Sequence, residues 1–161
     1  MTEERMPDVA DRAEPGGGVV VGDDGSASSA AAVRFAAEEA RRWRLPLHVV
    51  RAWTITSAPR PKDWRPGYVP SLLEFQQATR EESERRVSEL LGDHDGLEVV
   101  VHPVHGPSAQ ALIGASRTAD VVVVGSRGRG GFAELLLGSV AEQCVRHSAC
   151  PVIVVPRPEP A

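Results

Sequence analysis

One stretch near the end of the chain holds the residue types best suited to bind a phosphate group. It reads GSRGRGGFAELLLGSV, begins at Gly125, ends at Val140 and follows four consecutive valines. Glycines allow backbone N–H groups to approach a ligand closely, and the N-terminus of a helix attracts negative charge. The stretch is therefore typical of a loop that holds phosphates. A flexible turn between a buried strand and a helix is the simpler alternative.

A second polar turn follows another apolar run. The sequence VVVG at 19–22 leads directly into DDGS at 23–26. In parallel α/β sheets, ligands bind beyond the carboxyl ends of the strands, at the point where the strand order reverses. Because both turns follow apolar runs in this way, we expect them to border one ligand site.

Two other phosphate-binding patterns fit this sequence poorly. The Walker pattern requires a Gly-Lys pair before Ser or Thr, and the glycine stretch contains no lysine. Gly128, Gly130 and Ala133 match the spacing G-x-G-x-x-A of dinucleotide-binding proteins. That fold also needs an acidic residue about 20 residues further on, after the next strand, where this chain instead has Ser148 and Cys150. Neither a Walker nucleotide site nor an NAD site is therefore expected.

Alternating apolar and amphipathic blocks predict the elements that position these turns. The strands are predicted at 19–22, 45–53, 97–104, 121–125 and 151–156, and the helices from about 26 to 42, 71 to 91, 106 to 120 and 139 to 147. Strands that alternate with helices indicate an α/β fold with a mostly parallel sheet. The continuous valine runs indicate strands that are buried on both faces.

The composition predicts one globular domain with short tails. The chain has 161 residues, of which 42% are hydrophobic and 25% charged. Residues 1–18 are polar and acidic and end in EPGGG, so they offer little apolar surface to offset the entropy of ordering. We predict a disordered acidic tail and linker over 1–18, one domain over 19–157 and a short C-terminal tail over 158–161.

The charge balance and the hydropathy narrow the choice of partners and compartment. The formal net charge is -4, and no basic cluster indicates a nucleic-acid partner. No apolar run reaches the length of about 18 residues that a membrane-spanning helix needs. The first residues include Glu3, Glu4 and Arg5 and do not have the pattern of a secretory signal. We therefore expect a cytoplasmic protein that binds neither nucleic acid nor membrane.

The spacing Gly125-x2-Gly128-x9-Gly138-Ser139 resembles the nucleotide-binding signature of the universal stress protein family, in its ATP-binding branch. The segments VGDDGS, LHVV, ADVVVVGSRGRGG and LLLGSVAEQCVRHSACPVIVV extend the resemblance over 19–155. It implies a Rossmann-like α/β/α sandwich with a five-stranded parallel sheet in the order 3-2-1-4-5. The switch point then lies between the first and fourth strands, where the two polar turns meet.

The resemblance also implies roles for individual residues around an adenine nucleotide such as ATP. Asp24 matches the acid near the ribose and any bound Mg²⁺, and Val49 matches the residue whose backbone reads the adenine edge. No catalytic residue is implied. The implied nucleotide-binding residues are Gly22, Asp23, Asp24, Val49, Gly125, Arg127, Gly128, Gly138, Ser139 and Val140.

Some of these positions have a simpler interpretation. Ser139 and Glu142 have the spacing of a capping box, so Ser139 could cap its own helix instead of binding phosphate. The alternative for Asp24 is an ordinary turn residue with no ligand. Gly130 and Gly131 are interpreted as spacers. Asp23 stands where the family usually has an apolar residue or threonine, and it adds a second carboxylate that either helps to hold Mg²⁺ or repels phosphate.

The resulting functional hypothesis is an ATP-binding, homodimeric regulatory protein of the stress response with an unknown protein partner. A slow ATPase or phosphotransferase and a nucleotide-free interaction scaffold are the alternatives. The loop 54–70 contains four prolines and is expected to shape or cover the nucleotide. The last strand, Val152 to Val155, is an uncharged edge that is expected to pair with its twin in a two-fold dimer.

Overall fold

The computed structural model describes residues 8–128 and 137–158. These residues form five strands and four helices, which alternate along the chain as predicted. In chain order they are β1 (Val19–Gly22), α1 (Ala27–Trp43), β2 (Leu47–Trp53), α2 (Leu72–Leu91), β3 (Val99–His105), α3 (Ser108–Ser116), β4 (Val121–Gly125), α4 (Ser139–His147) and β5 (Val152–Val155).

The strands form one parallel sheet in the order β3-β2-β1-β4-β5. This confirms the predicted fold class and strand order. Val21 of β1 lies beside Val49 of β2 on one side and beside Val123 of β4 on the other. The order reverses between β1 and β4, so the turns that follow these two strands leave the sheet side by side.

Each face of the sheet is covered by a pair of helices. Helices α1 and α2 pack on one face, and α3 and α4 pack on the other. The side of α1 that carries Ala30, Val33, Ala37 and Ala40 is buried. Burial of a Val side chain contributes roughly 1.5–3 kcal/mol, so the valine strands supply much of the stability of this core.

Polar side chains fix the starts of the first two helices. Ser26 precedes α1, and its Oγ accepts a hydrogen bond from the N–H of Ser29 at 3.1 Å. A capping box starts α2: the N–H of Glu74 donates to Ser71 Oγ at 3.2 Å, and the N–H of Ser71 donates to Glu74 Oε2 at 2.7 Å. Within the described ranges, no helix is both long and apolar enough to cross a lipid bilayer.

Residues 8–18 contact the domain, which differs from the disordered tail expected over 1–18. The carbonyl of Ala10 accepts a hydrogen bond from the N–H of His105 at 2.8 Å, and the N–H of Gly18 donates to Asp120 Oδ2 at 2.7 Å. Ala13 is buried in the core beneath α3. The composition argument considered only apolar area and took no account of these backbone hydrogen bonds.

Candidate functional site

The turn after β1 and the loop after β4 contact each other at the carboxyl edge of the sheet. A Cβ atom on Gly128 would lie 3.0 Å from Oδ2 of Asp24. Gly138 lies next to Gly128, since a Cβ atom on Gly138 would lie 3.4 Å from the backbone N of Gly128. The structure therefore brings together Asp24, Gly128 and Gly138, and it does so without intervening side chains.

Two of the predicted glycines are required by helix packing as well. A Cβ atom on Gly125 would lie 2.5 Å from Oγ of Ser28 and 3.0 Å from its backbone carbonyl carbon. A Cβ atom on Gly22 would lie 2.8 Å from Cδ1 of Leu112. Gly125 thus lets the first turn of α1 approach β4, and Gly22 lets α3 approach β1. Their presence in the sequence has a structural cause that does not depend on a ligand.

Asp23 does not present its carboxylate to the ligand site. Its side chain is completely buried, and Nε of Arg86 donates to both carboxylate oxygens, at 3.0 and 2.8 Å. Oδ1 also accepts from Ser29 Oγ at 2.7 Å and from the N–H of Gly25 at 3.0 Å. Because the charge is paired inside the protein, the expectation that Asp23 adds a second carboxylate for Mg²⁺ or against phosphate does not fit this geometry.

Asp24 is half-buried and has a turn role and a site-facing oxygen at the same time. Its Oδ1 accepts a hydrogen bond from the N–H of Ser26 at 2.9 Å, which stabilises the turn into α1. Its Oδ2 is the atom that lies against Gly128. The two interpretations of Asp24, as a turn residue and as a ligand-binding residue, are therefore compatible.

Helix α4 begins at the glycine loop, and its first residue does not cap it. The N-cap is Gly138, which has no side chain, and the N–H of Glu142 bonds to the Gly138 carbonyl at 3.0 Å. Ser139 is the exposed first residue of α4, so the capping box expected from Ser139 and Glu142 is not formed. Val140 packs its side chain on the core beneath α4. The first N–H groups of α4 therefore lie next to Gly138 without a side-chain cap from the described part of the chain.

Arg127 lies half-buried between α1 and the start of α4. Its backbone N–H donates to Ser28 Oγ at 3.4 Å, and its Cα lies 3.4 Å from the point that a Cβ atom on Gly138 would occupy. These backbone contacts hold Arg127 at the base of the site. Gly130 and Gly131, interpreted above as spacers, lie outside the described residues.

Val49 lies in β2, beside the strand that leads into the first polar turn. Its side chain is completely buried, and it pairs with Val21 and Val101 inside the sheet. The next residue, Val50, lies beside Gly22 at the end of β1, and its carbonyl accepts a hydrogen bond from the N–H of Asp23 at 3.0 Å. The backbone role expected for Val49 stays a prediction.

The loop between β2 and α2 carries exposed apolar and aromatic side chains. Val69 is 87% exposed, and Trp64 is 38% exposed with the guanidinium of Arg60 stacked 4.4 Å from its ring centre. Tyr68 Oη donates to Glu74 Oε1 at 2.7 Å, which raises the pKa of Tyr68 and ties the loop to α2. Trp53, the last residue of β2, is by contrast a core residue, at 1% exposure.

The buried histidines lie away from this site. Nδ1 of His48 lies 2.8 Å from Nε2 of His102, on neighbouring strands. Burial, followed by the nearby charges of His48 and Arg80, lowers the pKa of His102 to about 4. His48 is 6% exposed, and burial lowers its pKa against the opposing effect of Glu98. His48 is therefore a core residue.

Comparison with known proteins identifies the family that this fold and site represent. The model of the universal stress protein family matches residues 18–156. A universal stress protein of Mycolicibacterium smegmatis is 37% identical over 146 residues, which cover 86% of this chain and 47% of that protein. The universal stress protein Rv1996 of Mycobacterium tuberculosis is 38% identical over 145 residues, which cover 88% of this chain and 44% of that protein. The chain belongs to the universal stress protein family, and it spans less than half the length of these relatives.

Solved structures of the family share the fold. A universal stress protein crystallised in complex with cAMP superposes with a TM-score of 0.61 at 26% identity, over 91% of this chain and all (100%) of that chain. The universal stress protein of Archaeoglobus fulgidus in complex with dAMP superposes with a TM-score of 0.53 at 22% identity, over 85% of this chain and 95% of that chain. At 22% identity, the similarity to the Archaeoglobus fulgidus protein shows a shared fold alone.

Proposed function

We propose that this protein binds an adenine nucleotide between the turn after β1 and the loop after β4. The observation that carries the proposal is the close approach of Gly128 to Asp24 and of Gly138 to Gly128 at the start of α4, whose N-cap, Gly138, has no side chain. A site lined by backbone N–H groups and one carboxylate suits a ribose and its phosphates. The complexes of relatives with cAMP and dAMP support an adenine nucleotide as the ligand.

Each group at the site has a distinct part in this proposal. Asp24 Oδ2 accepts hydrogen bonds from the ribose hydroxyls, and the N–H groups of Ser139 and Val140 bind the distal phosphates of ATP. Gly128 admits the nucleotide, and Arg127 contacts a phosphate. One protein carboxylate is enough for Mg²⁺, because this ion is held mainly by phosphate oxygens and water in nucleotide sites. Mg²⁺ would thus be held by the ATP phosphates and Asp24 together.

Competition between nucleotides tests the ligand class. A fluorescent adenine nucleotide bound to the nucleotide-stripped protein is displaced in turn by adenosine, AMP, cAMP, ATP and GTP, with and without Mg²⁺. We expect ATP with Mg²⁺ to compete most strongly, adenosine to compete weakly and GTP to fail. Equal competition by ATP and GTP would contradict an adenine-specific site, and equal competition by adenosine and ATP would contradict phosphate binding at α4.

We further propose that the chain forms a homodimer by antiparallel pairing of β5. The N–H of Val122 bonds to the Pro151 carbonyl, and the N–H of Ser126 bonds to the Val155 carbonyl. Since bonding alternates along a strand, the backbone groups of Val154 point away from β4 at the sheet edge.

A proline substitution tests this dimer. Val154→Pro removes one outward N–H, whereas Val154→Ala at the same position keeps it. We expect sedimentation equilibrium to give a dimer for the wild type and for Val154→Ala, and a monomer for Val154→Pro. A wild-type monomer, or a dimer that persists in Val154→Pro, would contradict pairing through β5.

We also propose that the loop 54–70 covers the bound nucleotide and offers a surface to a protein partner. The exposure of Val69 and Ile55, at 87% and 58%, supports a surface that is not completed by the chain itself. Deletion of residues 59–66 is expected to speed nucleotide dissociation while the thermal unfolding midpoint changes little. Unchanged dissociation in a stopped-flow chase, together with lost thermal stability, would refute this role of the loop.

A further inference from the structure

Arg86 of α2 holds both ends of the turn that follows β1. Its Nε donates to Oδ1 and Oδ2 of Asp23 at 3.0 and 2.8 Å, and its Nη2 donates to the carbonyl of Ser26 at 2.8 Å. Asp23 begins the turn, and Ser26 is the N-cap of α1. A single guanidinium, 63 residues away from Asp23 in the sequence, therefore spans the whole turn.

The position of Asp24 depends on this turn. Asp24 lies between the two residues that Arg86 holds, and its Oδ1 accepts from the N–H of Ser26 at 2.9 Å. The same residue places Oδ2 against Gly128. If Asp23 and Ser26 shift, the backbone of Asp24 must follow, because Asp24 is bonded directly to Asp23 and only Gly25 separates it from Ser26.

Helix α2 is attached to the domain by polar contacts as well as by apolar side chains such as Leu90 and Leu91, which are partly buried on the core. Its buried residues are Thr79, Ser83 and Val87, of which only Val87 is apolar, whereas α1 buries a longer row of alanines and Val33. Arg80 of α2 donates to the carbonyl of Val101 at 3.0 Å, which anchors the helix to β3. Arg86 makes the contact that joins this helix to the turn after β1.

Arg51 of β2 adds a second cation at the same turn. Its side chain is 10% exposed, its Nη1 donates to the Asp23 carbonyl at 3.4 Å, and its Nη2 lies 3.7 Å from Oε2 of Glu82. Glu82 is one helical turn before Arg86 on α2. The turn, β2 and α2 are thus linked by one charged network that surrounds Asp23.

We propose that Arg86 is a positioning residue of the nucleotide site, which orients Asp24 through Asp23 and Ser26 and makes nucleotide affinity depend on the docking of α2. The effect of Arg86 on nucleotide binding rests on the proposed function, whereas its effect on the turn after β1 does not. The guanidinium suits this task because its planar fork reaches a carboxylate and a carbonyl at once, which the single ammonium of lysine does not reproduce.

Arg86→Met is compared with Arg80→Met, a matched control in the same helix. Arg80→Met removes the hydrogen bond between α2 and the Val101 carbonyl of β3. ATP affinity is measured by calorimetry with Mg²⁺, and amide exchange at Gly25 and Ser26 is measured by NMR without nucleotide. We expect Arg86→Met to weaken ATP binding at least about tenfold and to speed exchange at both amides. Arg80→Met is expected to change neither, although both variants lower the unfolding midpoint.

A double-mutant cycle with Asp23→Asn separates positioning from general stability. If Arg86 acts through Asp23, adding Arg86→Met to Asp23→Asn weakens ATP binding much less than it does in the wild type. Equal ATP affinities of Arg86→Met and Arg80→Met, or independent effects in the cycle, would overturn the proposal. Should Arg86→Met fail to fold, Arg86→Lys is expected to weaken binding by about threefold or more.

The two proposals fail in different ways. A wild-type chain that binds no nucleotide would refute the proposed function, and the amide exchange at Gly25 and Ser26 would then still test whether Arg86 holds the turn. A wild type that binds ATP, with unchanged binding and unchanged amide exchange in Arg86→Met, would refute the positioning role alone.

Discussion

Oδ2 of Asp24 lies 3.0 Å from the point that a Cβ atom on Gly128 would occupy. This contact joins the turn after β1 to the loop after β4, two strands that are neighbours only because the sheet order reverses between them. The surface formed where these two residues meet includes glycine backbone and the Asp24 carboxylate. Ligand binding at this surface is therefore expected to be sensitive to a single methyl group added at Gly128 and to the orientation of the Asp24 side chain.

Gly128→Ala tests the contact itself. The added methyl group requires the Asp24 carboxylate to move by a few tenths of an ångström, so we expect ATP affinity to fall at least about tenfold, or about 1.4 kcal/mol. The fold is expected to be kept, because a side-chain end is easily displaced. Gly114→Ala in α3 is the control, since its Cβ meets nothing within 4 Å. Calorimetry that gives Gly128→Ala wild-type affinity would exclude a nucleotide bound between these two residues.

Gly125→Ala is expected to act on stability. Its Cβ would meet Oγ of Ser28 at 2.5 Å and the backbone of the same residue at 3.0 Å, so α1 must shift. Overpacking of this kind costs about 1–3 kcal/mol of unfolding free energy. Urea denaturation measures the loss, with Gly138→Ala as the control in the same loop, because its nearest contacts are at 3.4 Å. An unchanged denaturation midpoint for Gly125→Ala would show that the close approach of α1 is not required.

The two adjacent aspartates are expected to respond differently to the same change. Asp23→Asn removes the charge that faces Arg86 in a buried pair, which costs about 3 kcal/mol of unfolding free energy. Asp24→Asn keeps an oxygen for the N–H of Ser26 and is expected to cost less than about 1 kcal/mol, while ATP affinity falls. Denaturation and calorimetry on both variants distinguish the roles. Equal losses of stability in the two variants would contradict the assignment.

Acid is expected to destabilise the protein through the His48–His102 pair. The pKa of His102 is lowered from 6.5 to about 4, chiefly by burial. Below pH 6.5 His102 is protonated in the unfolded chain, whereas in the folded chain it is protonated only near pH 4. The unfolding free energy therefore decreases as the pH falls through this range. The upper limit for this loss is about 3 kcal/mol.

His102→Gln removes that titration and is expected to flatten the dependence of the unfolding free energy on pH. Urea denaturation at pH 7.0 and at pH 5.0 gives the comparison, and His147→Gln, at an exposed position of α4, is the control. A wild-type stability that is equal at both pH values would contradict a neutral buried pair.

The valine runs of the sequence were sufficient to predict the strands, and the resemblance to the universal stress protein family supplied their order. The contact between the two polar turns followed from the strand order. The burial of the Asp23 carboxylate did not, since the two aspartates of the DDGS turn have the same local pattern whether they face solvent or a buried cation. Arg86 also escaped prediction, because a charged residue on an amphipathic helix has the same local pattern whether it faces solvent or a buried carboxylate.

The central claim is that a nucleotide binds where Asp24 meets Gly128. Titration of the nucleotide-stripped protein with ATP and Mg²⁺ by calorimetry tests it most directly. The account predicts saturable binding of one nucleotide per chain, which is lost or strongly weakened in Gly128→Ala and unchanged in Gly114→Ala. Folded protein that gives no binding heat at millimolar ATP, or that binds equally well in Gly128→Ala, would contradict it.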